Sequence, residues 1–145
     1  MQKIKVNHYT DLKMFQVEQV VKNLKFKLNQ FITNLDINIT PEQLLVLDTI
    51  YSHDNICQQD VALLLSKDKS NIKRIVEILE NNKLITRTAG RKNNRLVNYL
   101  SITEEGKKIL DNNINEIKGY MEELFKDISD EEVKALDSII KKLNS

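Results

Sequence analysis

Residues 66–95, SKDKSNIKRIVEILENNKLITRTAGRKNNR, decide the fold of this chain. Asp68 is a good N-cap residue, and apolar residues then recur at i, i+3, i+4 and i+7, as Ile72, Ile75, Val76 and Leu79. This spacing predicts a helix with one buried face. The opposite face carries polar and basic side chains, namely Lys69, Ser70, Lys73, Arg74 and Glu77. Such side chains on the first turns of a helix suit the major groove of DNA.

A basic hairpin is predicted directly after this helix. Two short β-like runs, 84–88 and 96–101, flank the sequence AGRKNNR. Gly90 and the two asparagines that follow tolerate positive φ angles, so we expect all three in the tip of the hairpin. Arg91, Lys92 and Arg95 bring further positive charge to this second element.

A short helix at 58–65, with Val61, Leu64 and Leu65 facing inward, precedes the basic helix across a turn at 66–68. Two short helices joined in this way predict a helix-turn-helix, and the hairpin makes it a winged helix. Thr40-Pro41-Glu42-Gln43 is a strong helix start, because it combines a capping Thr, an early Pro and Gln three residues after the cap. We expect the apolar run after it, at 44–47 and 50, to be buried.

Long helices are predicted at both ends of the chain. The first runs from about Thr10 to about Leu35 and is apolar on two sides, which favours packing against a second subunit. Thr103 caps a long helix near the C-terminus, and the capping box Ser129-Asp130-Glu131-Glu132 opens the last one.

Composition predicts one soluble globular domain and excludes several classes. The 145 residues are 41% hydrophobic and 30% charged, and none of their segments resembles a membrane span or a secretory signal. A single cysteine, Cys57, fits a reducing compartment, so a cytoplasmic location is expected. Although the net charge is only +1, residues 58–98 carry nine Lys or Arg against four acids. Such a basic lobe on an acidic scaffold predicts a polyanionic partner.

Three spaced motifs resemble the MarR family of transcriptional regulators, and the resemblance covers essentially the whole chain. Ile39-Thr40 followed by Leu44-x-x-Leu47 is similar to the family's entry into the second helix. The sequence LENNKLITR at 79–87 is similar to the end of its recognition helix, and ITEEG at 102–106 to the start of its fifth helix. Two positions depart from the pattern. Lys83 stands where the family usually has Gly, so Asn82 or Lys83 must adopt a left-handed cap or the helix must end differently. Asn94 stands where the family usually has an acidic residue before the arginine that corresponds to Arg95.

The resemblance implies a mainly α fold with a small β-hairpin wing. Residues 36–102 would form the winged-helix lobe, and 10–35 with 103–145 a helical dimerisation lobe. It implies a homodimer that binds a pseudo-palindromic operator in double-stranded DNA and usually represses transcription. The expected recognition-helix contacts are Lys67, Lys69, Ser70, Asn71, Lys73 and Arg74. The expected wing contacts are Arg91, Lys92, Asn94 and Arg95.

Family members often bind small anionic aromatic effectors, and Phe15, Phe26, Tyr120 and Met121 could line such a pocket here. Core or dimer packing is the competing interpretation of these four residues, and regulation without a small ligand stays open. Cys57 is expected to be structural. His8 and His53 are too few to predict a metal site, no cofactor is expected, and no catalytic arrangement is visible, so an enzyme is not expected. The remaining alternative is a winged helix that mediates protein–protein assembly, which would predict an apolar or acidic face on 68–82.

Overall fold

The computed structural model describes residues 8–145, and their architecture is mainly helical, as predicted. A 3-10 turn, Tyr9–Asp11, precedes α1 (Lys13–Asn34) and α2 (Pro41–Ser52). Then follow β1 (Ile56–Cys57), α3 (Gln58–Leu65), α4 (Lys69–Asn81), β2 (Ile85–Lys92), β3 (Arg95–Ile102), α5 (Glu104–Leu124) and α6 (Asp130–Leu143). The chain divides into two compact units, one up to Asn112 and one from Asn113. Among the described helices, none has the length and apolar character needed to cross a membrane.

The two capping boxes identified in the sequence both form. Thr40 Oγ1 accepts a hydrogen bond from the Gln43 N–H at 3.1 Å, and the Gln43 side chain accepts one from the Thr40 N–H at 3.2 Å. Ser129 and Glu132 make the same reciprocal pair at the start of α6. Each box satisfies donors that the first helical turn would otherwise leave unpaired, so these residues fix where α2 and α6 begin.

The wing belongs to a three-stranded antiparallel sheet of order β1-β3-β2. Its strands are longer than predicted and leave a two-residue tip, Asn93-Asn94, with φ angles of 53° and 64°. This geometry suits a tight hairpin and confirms the role of the asparagine pair. The expectation that Gly90 belongs to the tip was wrong. Gly90 lies within β2 opposite Val97, and the Tyr99 ring occupies the space that a Cβ atom would need.

The core of the first unit lies between α2, α3, α4 and the sheet. It is built from Val46, Leu47, Val61, Ile72, Ile75, Val76, Leu79 and Ile85, each almost fully buried. Two expected core residues were assigned wrongly. Leu45 is 45% exposed and Leu64 is 55% exposed, because α2 and α3 each have an outer face; Ala62 is buried beside Val61 on α3 instead.

Helix α4 is followed by a residue in the left-handed conformation, and this residue is hydrogen-bonded to the start of α5. Lys83 has a φ of 60°, which places the left-handed cap at the position where the family usually has Gly. Its carbonyl accepts a 2.8 Å hydrogen bond from the Thr103 hydroxyl, which also accepts one from the Gly106 N–H at 3.1 Å. Thr103 therefore caps α5, as predicted, and ties its first turn to the end of α4.

Candidate nucleic-acid interface

Helix α4 has one buried face and one exposed face, as its sequence predicts. Ile72, Ile75, Val76 and Leu79 are at most 1% exposed and anchor the helix in the core. Asp36, before α2, and Ser66, before α4, have left-handed backbone conformations, with φ angles of 55° and 51°. The side chains on the opposite face of α4 are thus held on a rigid element, and together with Lys67, in the turn before the helix, they divide into two rows.

The first row consists of Lys69, Ser70 and Lys73, all exposed. Within residues 8–145, none of these three side chains has a hydrogen bond or an ion pair. A lysine without a protein partner keeps its full charge and its three donors for an external ligand. This row can therefore meet an anionic ligand without breaking an internal contact.

The second row consists of Lys67, Asn71 and Arg74, and it is held by an acid on another helix. Glu42 Oε1 accepts a 2.9 Å hydrogen bond from Asn71 Nδ2 and lies 3.2 Å from Lys67 Nζ. Asn71 Oδ1 in turn accepts from Arg74 Nη2 at 2.9 Å. The hydrogen bond from Asn71, together with the positive charges of Lys67 and Arg74, holds the pKa of Glu42 below its usual value.

The wing presents two of its predicted basic residues freely and holds the third. The side chains of Arg91 and Arg95 are exposed and make no hydrogen bond or ion pair with the described part of the chain. Lys92 Nζ, by contrast, lies 2.9 Å from both carboxylate oxygens of Asp60 on α3. Asn94 forms the tip, and the Tyr99 hydroxyl donates a 3.0 Å hydrogen bond to the Arg91 carbonyl.

Asp60 is the acid that anchors the wing to the helix-turn-helix. Besides Lys92, its carboxylate accepts from the Cys57 N–H at 3.1 Å and from Cys57 Sγ at 3.2 Å. The hydrogen bond from Lys92 and that from the Cys57 backbone lower the pKa of Asp60, and the same Asp60 contact raises the pKa of Lys92. The wing and the start of α3 are therefore joined by a charge-assisted hydrogen bond.

Glu42 and Asp60 were missed in the sequence. Each lies in the first turn of its helix, where an acidic residue is common because it interacts favourably with the helix dipole. An acid at this position therefore did not indicate a further role in the site. Their partners are distant in sequence, 29 residues from Glu42 to Asn71 and 32 from Asp60 to Lys92. Local patterns could not reveal these pairs.

The four predicted effector-contact residues are divided between the two units. In the first unit, Phe15 is half-buried with its ring centroid 5.2 Å from that of Tyr9, and Phe26 is 63% exposed. In the second, Tyr120 is half-buried and Met121 is exposed. Each unit alone thus contributes one half-buried aromatic residue and one exposed apolar residue of the predicted set.

Cys57 and the histidines form no metal cluster. Within residues 8–145, no group of three or more His, Cys, Asp or Glu side chains converges on one point. Cys57 is buried at the start of α3, where its thiol donates to Asp60. Both observations are compatible with a structural cysteine.

Known proteins share the sequence pattern of the winged helix and the fold of nearly the whole chain. Residues 39–97 match the sequence model of the MarR family. A Listeria innocua protein of unknown function has a solved structure with a TM-score of 0.70 and 27% identity, covering 94% of this chain and 93% of that one. The DNA complex of MepR from Staphylococcus aureus has a TM-score of 0.76 and 22% identity, covering 94% and 96%.

A curated relative is known for part of the chain. An uncharacterized protein of Methanocaldococcus jannaschii is 32% identical over 73 residues, which is 50% of this chain and 14% of that protein. The chain therefore matches only about a seventh of the length of that relative.

The fold and the two basic elements define a winged helix-turn-helix protein. The match over residues 39–97 shows that the winged helix of this chain is similar in sequence to the MarR family, and the likeness to MepR shows a shared fold over nearly the whole chain. MarR-family proteins are transcriptional regulators rather than enzymes, in agreement with the prediction from the sequence.

Proposed function

We propose that this protein is a sequence-specific DNA-binding regulator that represses transcription as a homodimer on a pseudo-palindromic operator. The observation that carries the proposal is the free row on α4. Lys69, Ser70 and Lys73 are exposed and unpaired within the described residues, on a helix whose other face is locked in the core. A basic face also argues against the protein–protein alternative, which predicts an apolar or acidic one.

The two rows of α4 offer different chemistry to the major groove. Lys69 supplies charge for phosphates, and Lys67 adds a share that its ion pair with Glu42 reduces. This charge sets affinity without reading sequence. Ser70, Asn71, Lys73 and Arg74 supply hydrogen-bond donors and acceptors of the kinds that pair with base edges, and an arginine pairs best with guanine. The proposed reader of the operator is therefore the N-terminal half of α4.

The wing is proposed to contact the minor groove and its flanks. Arg91 and Arg95 lie near the tip with unpaired side chains in the described structure, and an arginine is attracted to a narrow minor groove. Asn94 shapes the tip through its positive φ angle and leaves Arg95 without the preceding acid that the family uses. Lys92 would contribute less, because Asp60 already neutralises it.

Exposed apolar side chains on the terminal helices support the homodimer. On α1, Val17, Val20 and Val21 are between 44% and 56% exposed. On α6, an apolar face is open as well, with Val133, Leu136, Ile139, Ile140 and Leu143 all exposed. Apolar faces of this extent favour association, so we assign residues 10–35 and 103–145 to dimerisation and 36–102 to DNA binding.

A small-molecule effector is a further part of the proposed function. We keep Phe15, Phe26, Tyr120 and Met121 as the residues to test for a small aromatic or anionic ligand. That assignment rests on the resemblance to the family and on the exposed apolar surface of two of the four. A regulator that acts on DNA is expected in the cytoplasm, where a reduced Cys57 is stable.

Hydroxyl-radical footprinting on the protein's own upstream intergenic DNA tests the proposal. Two protected half-sites about one helical turn apart, ~34 Å, are expected from a symmetric dimer with one α4 in each groove. Lys69→Ala together with Lys73→Ala should abolish the footprint at the same protein concentration. A matched variant with two alanines at Lys108 and Lys118, which lie on α5, should keep it. Uniform cleavage with the wild-type protein at low salt would overturn the proposal.

A further inference from the structure

The carboxylate of Glu42 contacts two side chains of the expected DNA-binding region directly and a third through one of them. It contacts Asn71 Nδ2 at 2.9 Å and Lys67 Nζ at 3.2 Å, and Asn71 passes the connection to Arg74. Glu42 itself belongs to α2 and reads no DNA in the assignment above. Through these hydrogen bonds, Glu42 can orient Asn71 and Arg74, two of the side chains expected to read bases.

We infer that Glu42 is a positioning residue that sets the sequence specificity of DNA binding: it orients Asn71 and Arg74 and neutralises Lys67. The inference rests on the proposed function, since it concerns the same interface. It assigns to one acid both the geometry and the charge balance of the second row.

The orientation of the Asn71 amide follows from the chemistry of its neighbours. A carboxylate can only accept hydrogen bonds and a guanidinium can only donate them. Asn71 must therefore turn its NH₂ group to Glu42 and its carbonyl to Arg74, as the distances show. With that carbonyl fixed, one guanidinium nitrogen of Arg74 is held, and the remaining donors stay available for a base edge. A pre-oriented arginine loses less side-chain entropy on binding, so it discriminates better between bases.

The charge of Glu42 acts on affinity in the opposite direction. Its pairing with Lys67 reduces the positive charge available to phosphates, and its own negative charge repels them. Both effects weaken binding to any sequence. Glu42 thus lowers the binding that is independent of sequence while it improves the geometry on which sequence reading depends.

A purely structural role of Glu42 makes a different prediction. An acid in the first turn of α2 stabilises the helix through its dipole, whatever its neighbours. Glu105 has the same position in α5, second in the helix, and has no hydrogen bond or ion pair among the described residues. Glu105→Gln is therefore the matched control for a loss of one first-turn carboxylate.

The test compares Glu42→Ala, Glu42→Gln, Asn71→Ala and Glu105→Gln with the wild-type protein. The probes are a duplex enriched by the wild-type protein from a random-sequence pool and a scrambled duplex of the same composition. We expect Glu42→Ala to bind the scrambled duplex more tightly and to lower the ratio of the two affinities by about tenfold. Because Lys67 becomes available, the slope of log K against log salt should steepen by about one phosphate contact.

The other variants separate geometry from charge. Glu42→Gln keeps an oxygen that can accept from Asn71 but loses the charge, so it should steepen the salt slope and retain more of the affinity ratio than Glu42→Ala. Asn71→Ala should lower the ratio of the two affinities. The double variant of Glu42→Ala with Asn71→Ala should lower this ratio no further than Asn71→Ala alone, because Glu42 acts on it through Asn71. Should Glu42→Ala fail to fold, Glu42→Gln and Asn71→Ala carry the same test.

Two failures can be told apart. Wild-type protein that enriches no duplex, or binds both probes equally, would overturn the proposed function and the role of Glu42 with it. Wild-type protein that prefers the enriched duplex, with Glu42→Ala and Glu42→Gln matching Glu105→Gln in ratio and salt slope, would overturn the role of Glu42 alone.

Discussion

The hydroxyl of Thr103 donates a 2.8 Å hydrogen bond to the carbonyl of Lys83, so the residue that caps α5 also closes the left-handed turn that ends α4. The Thr103 N–H adds a 3.0 Å bond to the Leu84 carbonyl, and the Leu84 N–H returns to the Leu79 carbonyl at 2.9 Å. The end of α4 is thereby fixed from two sides. Substitutions at this joint are expected to change stability rather than DNA reading.

Lys83→Gly should stabilise the protein. A non-glycine residue in the left-handed region costs roughly 1–2 kcal/mol, part of which is offset by the greater freedom of glycine in the unfolded chain. We expect a gain in the free energy of unfolding of up to about 1 kcal/mol in urea titrations. Lys108→Gly, within α5, should instead lose about 1 kcal/mol. Equal destabilisation by both substitutions would contradict the left-handed geometry of Lys83.

Gly106→Ala should destabilise the protein, because α5 approaches the Leu84 backbone and the Ile102 side chain too closely there for a side chain. A Cβ atom on Gly106 would lie 2.5 Å from the Leu84 carbonyl oxygen and 2.7 Å from Ile102 Cγ1. Overpacking of this kind costs typically about 1–3 kcal/mol. Gly119→Ala on the same helix meets nothing within 4 Å and should gain about 0.5–1 kcal/mol. Thermal unfolding of Gly106→Ala and Gly119→Ala measures the two shifts in Tm. Similar shifts for both variants would refute the close contact of Gly106 with Leu84 and Ile102.

Arg74→Ala should cost about 1–3 kcal/mol of operator affinity and relax the preference at one base position. The loss is expected because the substitution removes donors from the expected base-reading row and leaves Asn71 Oδ1 without its partner. Titration of the footprinted fragment by fluorescence anisotropy measures it. Lys108→Ala removes one charge from α5 and serves as the control. Unchanged affinity in Arg74→Ala would count against this orientation of α4.

The contribution of Asp60 to stability should depend on pH. Lys92 and the Cys57 backbone lower its pKa in the folded protein, so the folded state binds this proton less tightly than the unfolded state does. The contribution is therefore fully present above about pH 4, the usual carboxyl value, and is lost as the pH falls through the lower folded pKa. Urea titrations of the wild-type protein and Asp60→Asn across this range should show a difference that shrinks in acid. A difference independent of pH would exclude the proposed linkage. Asp48→Asn, on the exposed side of α2, is the matched control.

Much of the fold could be predicted because its signals are local. The capping residues Thr40, Thr103 and Ser129 and the apolar spacing of α4 are determined within one or two helical turns, and all were located correctly. The longer wing was not, because strand length depends on cross-strand pairing; Gly90 was taken for a tip residue although Tyr99 packs across it. β1 was missed for the same reason, since two residues have no periodicity of their own.

The candidate site shows the same division. The exposed row of Lys69, Ser70 and Lys73 follows directly from helical spacing. The acids that hold the other basic residues, Glu42 and Asp60, come from distant segments brought together only by the fold. Exposure of Leu45 and Leu64 also escaped prediction, because an almost continuous apolar run does not reveal which of its members faces outward.

The most direct test of the central claim is a salt titration of the wild-type protein on its own upstream intergenic DNA and on a scrambled duplex of equal length. We expect saturable binding that falls steeply with salt on both duplexes and is at least about a thousandfold tighter on the native fragment. Superimposed curves on the two duplexes, or no binding at low salt, would contradict the claim that α4 reads a DNA sequence.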